Sequence, residues 1–333
     1  MGKLRLGVLG CSGHYALRVA TPLKYSQLVS PYGIASRDAA KSKKYAGQWG
    51  FSVSYGSYEA LLEDPNIDLV YNPLPNHLHL EYIKKAADAG KPVLCEKPLG
   101  LNAGEAAEAA EYCKKKGVLL MEAFMYRFHP QWKRAAEIVK AGELGTVMAT
   151  AGIFSYDLKD GSNIRNIPET GGGGIYDIGC YTVSSARLLM QAEPRRVICT
   201  LKRDPAFKTD ILASAILDFG DGRHSTFTIG TQLYPWQRVR ALGTGGALSV
   251  ELPFNMYGDV PGRLHINTGV GERIVETEAA DQYLLEFDAF AGAVADKRAE
   301  APTPIADAVA NMAVLDALFA SAESGKLETV AQY

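Results

Sequence analysis

The 333-residue chain lacks an excess of charge of either sign: 35 Lys and Arg stand against 37 Asp and Glu, for a net charge of -2. Nucleic-acid binders concentrate cations on one face, and nothing here does so. The one basic run, Lys114-Lys115-Lys116, falls at the end of a helical stretch, where cations favour the helix dipole. No apolar run approaches the ~20 residues that span a bilayer, so no membrane partner is expected. The first residues, Met1-Gly-Lys-Leu-Arg-Leu, pass straight into a strand pattern and leave no room for a signal peptide. Cysteine is sparse. Five are scattered at 11, 95, 113, 180 and 199 with no CxxC pair, which excludes a zinc knuckle and a disulfide framework. A cytoplasmic location is therefore expected. What the chain does have is 47% hydrophobic residues, enough for the cores of about two domains.

Over the first ~125 residues, short apolar runs alternate with helix-like stretches. Leu4–Leu9 reads as a strand, followed by a glycine-containing loop and a helix from about His14. Further strands are expected at 32–36, 67–71, 92–95 and 118–121, and helices from Asp38 to Trp49, before Gly90, and from Asn102 to Gly117. Strands separated by helices imply parallel βαβ units and a doubly wound sheet. After a junction near 123–127 the texture changes. A helix from Pro130 to Ala141 precedes Val-, Ile-, Thr- and Phe-rich runs at 146–155, 196–203, 211–219, 224–231 and 247–252. Turn signals such as Asp221-Gly222 imply a largely antiparallel sheet, with helical stretches 174–190, 280–296 and 304–324 covering one face. There is no internal repeat and no low-complexity linker.

The loop after the first strand, Gly7-Val-Leu-Gly10-Cys11-Ser12-Gly13-His14-Tyr15, is placed to offer backbone amides to a pyrophosphate at a helix N-terminus. It is not a strict GxGxxG. Gly10 takes the tight-turn position, Ser12 stands where the second glycine is usual, and Tyr15 where the third is. At the end of the second strand an NAD site wants an acid for the ribose diol. This chain has Ser36-Arg37 with Lys41 one turn on, which suits a 2′-phosphate and favours NADP over NAD. The competing reading makes Ser36 a helix cap and Arg37 a solvated side chain.

Two more segments carry chemistry. Glu96-Lys97-Pro98 places a lysine just beyond a strand's carboxyl end, the edge at which open α/β sheets bind ligands. Gly171-Gly-Gly-Gly-Ile-Tyr-Asp177-Ile-Gly-Cys-Tyr181 opens a helix, with Asp177 and Tyr181 four apart on one face. Hydride transfer at a carbinol needs a group that takes or gives the hydroxyl proton. A free tyrosine, with pKa ~10, is a poor base at neutral pH. A lysine ammonium within ~4–6 Å favours the phenolate. Tyr181 as acid/base with Lys97 as electrostatic partner is a coherent pair, and Asp177 either accepts a substrate hydroxyl or orients Lys97. His77 and His79 are not read as metal ligands, and no metal is expected.

With these stretches, and with Tyr71-Asn-Pro-Leu-Pro-Asn76-His-Leu-His79 and Glu122-Ala-Phe-Met-Tyr-Arg127-Phe-His-Pro130, the chain resembles the Gfo/Idh/MocA oxidoreductase family over essentially its full length. The resemblance implies an α/β protein. A Rossmann doubly wound domain, 1–124, is followed by an α+β substrate-binding domain, 125–333, whose largely antiparallel open sheet serves a homodimer or homotetramer. It implies cofactor contacts around Gly10 to Tyr15, Ser36, Arg37, Lys41, Leu74, Pro75, Asn76, His79, Glu96 and Lys97, with catalysis at Lys97 and residue 181. Tyr181 stands where many members carry His. That form is similar to the NADP-dependent D-xylose dehydrogenase and dimeric dihydrodiol dehydrogenase branch.

Phe154, Tyr156, Asn163, Arg165, Asp177 and Trp236 are the candidate contacts to a carbohydrate or diol, since aromatic faces and a few polar groups suit a sugar ring. Arg127 is left between substrate contact and bracing. The leading expectation is an NADP-dependent aldose or polyol dehydrogenase. Its rivals are a deoxysugar ketoreductase, a trans-dihydrodiol dehydrogenase and a non-catalytic dinucleotide-sensing regulator on the same fold.

Overall fold

The computed structural model describes residues 2–333. Two compact units emerge from the packing. One runs to Met125 and adds Tyr283–Val309; the other comprises Tyr126–Gln282 and Ala310–Tyr333. The sequence pattern places a single boundary near 124, whereas the packing returns Tyr283–Val309 to the first unit. The return of Tyr283–Val309 is a long-range packing event with no local signature.

The first unit is built on a six-stranded parallel sheet: β1 (Leu4–Leu9), β2 (Val29–Ala35), β3 (Val53–Tyr55), β4 (Leu69–Asn72), β5 (Val93–Glu96) and β6 (Leu120–Ala123), in the order β3-β2-β1-β4-β5-β6. Its helices are α1 (Ala20–Leu23), α2 (Ala39–Trp49), α3 (Tyr58–Glu63), α4 (His79–Asp88) and α5 (Ala103–Lys116). Local chemistry sets their ends. Asp38 caps α2 by accepting from the Ala40 and Lys41 amides, and Gly50 closes it at φ 75°. Asn102 caps α5, and Lys114 to Lys116 occupy its last turn. Leu6, Val8, Leu69, Val70, Val93 and Leu94 are fully buried, as strands covered on both faces require. At three and six residues, β3 and α3 are too short to show a sequence period.

The second unit carries a nine-stranded sheet. Its strands are β7 (Val147–Asp157), β8 (Arg196–Arg203), β9 (Asp210–Gly220), β10 (Arg223–Gly230), β11 (Gln232–Gly243), β12 (Gly246–Val250), β13 (Pro261–Thr268), β14 (Gly271–Ala279) and β15 (Glu328–Thr329), in the order β14-β13-β12-β11-β7-β10-β9-β8-β15. All pairs are antiparallel except β7 with β10. Along β9, Ala213, Ala215, Leu217 and Phe219 are buried while Ile216 is exposed, the two-residue period of a half-covered sheet. Fully burying one such large apolar side chain stabilises by roughly 1.5–3 kcal/mol. Helices α6 (Pro130–Lys140) and α7 (Cys180–Met190) belong to this unit.

Two further helices, α8 (Gln282–Ala295) and α9 (Ile305–Ser324), complete the chain. The expectation that no apolar run approaches bilayer-spanning length does not hold for α9, which at 20 residues is long and apolar enough by length and composition alone. Its Val309, Met312, Leu315, Leu318 and Ser321 are buried, which marks it as a core helix.

Candidate functional site

In the first unit the candidate residues gather at the carboxyl edge of the parallel sheet. β1 lies between β2 and β4, so the strand order reverses there, and ligands bind at such a switch point. Gly10 follows β1 at φ 94°, and a Cβ there would meet Leu74 Cδ2 at 3.0 Å. Ser12 Oγ accepts from the Tyr15 amide at 3.1 Å and opens the wide π-type turn Tyr15–Val19 that leads into α1. A Cβ on Gly13 would meet nothing within 4 Å, so the approach to the loop is clear. Cys11 is buried, and burial pushes its thiol up to about 11. This glycine turn, open on one side and backed by a helix N-terminus, fits a dinucleotide pyrophosphate. Tyr15, expected among the cofactor contacts, keeps its side chain in the core. Its ring is fully buried between Phe51 and Tyr71, at 5.5 and 6.3 Å, because a side chain on this face of the turn points into the core.

At the end of β2, Ser36 Oγ accepts from the Asp38 amide at 3.1 Å. The cap of α2 is Asp38 rather than Ser36, and its carboxylate faces the helix amides. Arg37 and Lys41 are exposed, with Arg37 beside the buried Tyr58.

Beyond β4, Leu74 is buried, whereas Pro75 and Asn76 are half-buried. His79, expected among the cofactor contacts, keeps its ring inside the protein. It is fully buried, with Nδ1 2.9 Å from the Pro98 carbonyl oxygen and Nε2 2.8 Å from that of Leu74. Burial pushes its pKa down. It ties the loop after β4 to the turn after β5, and so acts on neighbours of the site.

Glu96 ends β5 and Lys97 follows it. Tyr71 Oη donates to Glu96 Oε1 at 2.5 Å, and His14 Nε2 lies 3.4 Å from the same oxygen. Burial alone would raise the Glu96 carboxyl, but His14, Lys97 and Tyr71 outweigh it and bring it down to about 2. Tyr283 meets the His14 ring edge-on at 5.5 Å, and Phe287 meets Tyr71 at 5.0 Å. Glu286, one turn along α8, is buried; burial first, then Glu96 and Glu122, push its carboxyl well up. Glu122 Oε1 accepts from the Leu99 amide at 2.8 Å. Tyr71, Glu122, Tyr283 and Glu286 were not identified from sequence, because only the folded sheet edge brings them beside Glu96.

In the second unit, Tyr156, Arg165 and Asp177 form one network. Tyr156 Oη donates to Asp177 Oδ2 at 2.6 Å, and Arg165 Nε lies 3.1 Å from that oxygen. Burial, then the charge of Asp177, pushes the Tyr156 phenol far up, so it stays a donor. Asn163 Oδ1 accepts from the Arg165 amide at 3.1 Å and caps the short turn Ile164–Asn166. Asp177 sits in a second wide turn, Ile175–Gly179, which runs directly into α7. Such π turns concentrate at functional sites.

Tyr181 stands at the start of α7 and is nearly buried against Tyr126, Phe154 and Phe254, with ring centroids 5.9, 5.8 and 5.2 Å away. Phe154 therefore meets the candidate acid/base directly. Trp236 does not join this group. It is half exposed, with Arg238 over its ring at 5.8 Å, and pairs in register with Ser155 while Phe154 pairs with Gln237. The alternation of strand side chains puts it on the opposite face from Phe154. Arg127 Nη2 donates to Ser184 Oγ at 2.9 Å, which favours bracing of α7.

Comparisons with known proteins follow the same division. A model described as an oxidoreductase family with an NAD-binding Rossmann fold matches residues 4–124, and a GFO/IDH/MocA C-terminal domain matches 132–249. The chain is 39% identical to a D-xylose 1-dehydrogenase (NADP(+)) of Haloferax volcanii, covering 97% of this chain and 98% of the relative. It is 38% identical to an uncharacterized oxidoreductase of Rhizobium meliloti, over 99% and 100%. The 3-ketoreductase KijD10 of Actinomadura kijaniata, solved with NADP and TDP-benzene, superposes with a TM-score of 0.90 at 29% identity, over 96% and 98%. Structures of that protein include a tyrosine-to-phenylalanine and a lysine-to-alanine variant, altered at positions as far apart in its chain as Lys97 and Tyr181 are here. The chain belongs to the GFO/IDH/MocA family of oxidoreductases.

Proposed function

We propose that this protein is an NADP-dependent oxidoreductase acting at a carbinol or carbonyl carbon of a sugar or polyol, with Tyr181 as acid/base and Lys97 as its electrostatic partner. The observation that carries the cofactor reading is the end of β2. The one acid there, Asp38, caps α2, while Arg37 and Lys41 remain exposed cations suited to a 2′-phosphate. NADP-bound KijD10 and the NADP(+)-dependent xylose enzyme support it.

When bound, NADP supplies the hydride acceptor or donor. In the oxidative direction the hydroxyl proton of the substrate passes to the Tyr181 oxygen as the carbinol C–H bond breaks and C=O forms. Lys97, as an ammonium, favours the phenolate that receives that proton. Asp177, held by Arg165 and Tyr156, accepts a substrate hydroxyl and fixes the ring's orientation. The reverse direction, reduction of a deoxysugar ketone, uses the same groups, and the likeness to KijD10 favours keeping it as the second reading.

A spectrophotometric screen of aldoses, polyols, dTDP-linked ketosugars and aromatic diols, with NADP and with NAD, decides the substrate class. Lys97→Ala and Tyr181→Phe are each expected to lower kcat by about 10²–10⁴-fold, with cofactor affinity changed little. Full turnover in both variants would remove the mechanism. We further propose that the exposed face of the nine-stranded sheet pairs with a second copy of the chain.

A further inference from the structure

Asp210 opens β9 and is almost wholly buried. Its Oδ2 accepts from the Ile175 amide at 2.6 Å, and the Gly174 amide also reaches the carboxylate. Its Oδ1 occupies the space that a Cβ on Gly173 would need, and Gly173 sits at φ 123°, where an L side chain is strained in any case. The same glycine makes two further ties. Its amide donates to the Arg165 carbonyl at 2.9 Å, and its carbonyl accepts from the Asp177 amide at 3.0 Å. One carboxylate thus grips the segment on which both members of the Arg165–Asp177 pair depend. A buried charge is costly to hold, and burial pushes this carboxyl up despite the amides. What the arrangement supplies in return is a fixed start to the wide turn.

We propose that Asp210 is a positioning residue for the reaction: it anchors the glycine run so that Asp177, and Tyr181 at the start of α7, are held in their working geometry. The inference rests on the functional reading of those two residues given above. A displacement of about 1 Å at a reacting group costs ~10²-fold in rate. Asp210→Ala is therefore expected to lower kcat by about 10–100-fold, at a temperature where circular dichroism shows it folded, with NADP dissociation constant unchanged. Asp210→Asn keeps a carbonyl acceptor of the same shape and is expected to recover most of that loss.

Gly173→Ala displaces the same carboxylate. Its effect should be smaller in the Asp210→Ala background than alone, because the obstructing oxygens are gone. Wild-type kcat in folded Asp210→Ala overturns the proposal. So does an Asp210→Asn enzyme as poor as the alanine variant, or strict additivity with Gly173→Ala. Should Asp210→Ala not fold, Asp210→Glu carries the test: it keeps the charge and shifts the oxygens by a methylene, and unchanged kcat there overturns the role. Tyr181→Phe in the same assay separates the levels. An active Tyr181→Phe enzyme removes the underlying reading and the positioning role with it. An inactive one, beside a fully active Asp210→Ala, removes the positioning role alone.

Discussion

Arg37 and Lys41 are the cations at the end of β2, and Arg37→Ala isolates the larger planar one. A charge-assisted hydrogen bond contributes about 1.5–3 kcal/mol, or roughly 10–100-fold in affinity. NADP affinity should fall by that factor while NAD affinity stays within about twofold, as read by fluorescence titration with each reduced cofactor; equal losses would refute the 2′-phosphate assignment. Glu96 offers a second measurement. Its carboxyl is held at about 2, against ~4.3 for an unfolded glutamate. A depressed carboxylate stabilises the fold above the unfolded pKa and loses that contribution as pH falls through the folded one. Its share is on the order of 3 kcal/mol, lost between about pH 5 and pH 2. Glu96→Gln should flatten the dependence of unfolding free energy on pH across that window; an unchanged slope would show that Glu96 is not the group involved. At this scale the sequence revealed residue types but not their pairings. Tyr156, Arg165 and Asp177 were each singled out, yet their common oxygen was not, since strand and loop contacts over such separations follow no local period. His79 and Tyr15 are motif positions whose side chains turn inward, a direction no local pattern shows.

Two glycine-rich turns open two helical segments, and they differ in what surrounds them. A Cβ on Gly172 would stand 2.7–2.8 Å from three carbonyl oxygens, those of Ile164, Arg165 and Ile167. Those are backbone atoms and cannot swing aside. Gly172→Ala should therefore destabilise by about 1–3 kcal/mol, as overpacking does. Gly13→Ala meets nothing within 4 Å and should lie within about 0.5 kcal/mol of wild type. Denaturant unfolding of the pair checks the contrast, and equal stabilities would mean the run at 171–174 has slack that the packing does not show. Elements with chemical punctuation were legible beforehand. α2 and α5 have Asp38 or Asn102 at one end and Gly50 or Gly117 at the other. β14 was not, because Glu272, Arg273, Glu276 and Glu278 break the apolar alternation, as suits an edge strand that must not recruit another chain.

For the whole molecule, the exposed face of the second sheet is the feature with the largest consequence. Ile153, Ile198, Ile216, Leu242 and Ile274 are all more than a third exposed. Cross-strand register aligns Ile198, Ile216, Thr226, Ala151, Arg240, Ser249, His265 and Ile274 in one row across eight strands. Arg263 pairs with Glu276 on this face, and Arg196 with Asp218, so its charges are largely balanced. A face that mixes exposed isoleucines with polar side chains and paired charges is one that a two-fold axis can set against itself, the same patch serving both copies. The chain is thus expected to sediment as a dimer or tetramer at micromolar concentration. Ile216→Lys sets like charges against each other, or strands one lysine under an apolar face, and should shift sedimentation equilibrium toward monomer. Because Ile216 points away from the buried face of β9, the folded core should survive, with far-ultraviolet circular dichroism unchanged. A wild-type chain that sediments as a monomer, or an Ile216→Lys chain as associated as wild type, would show that this exposed face of the sheet serves no second copy.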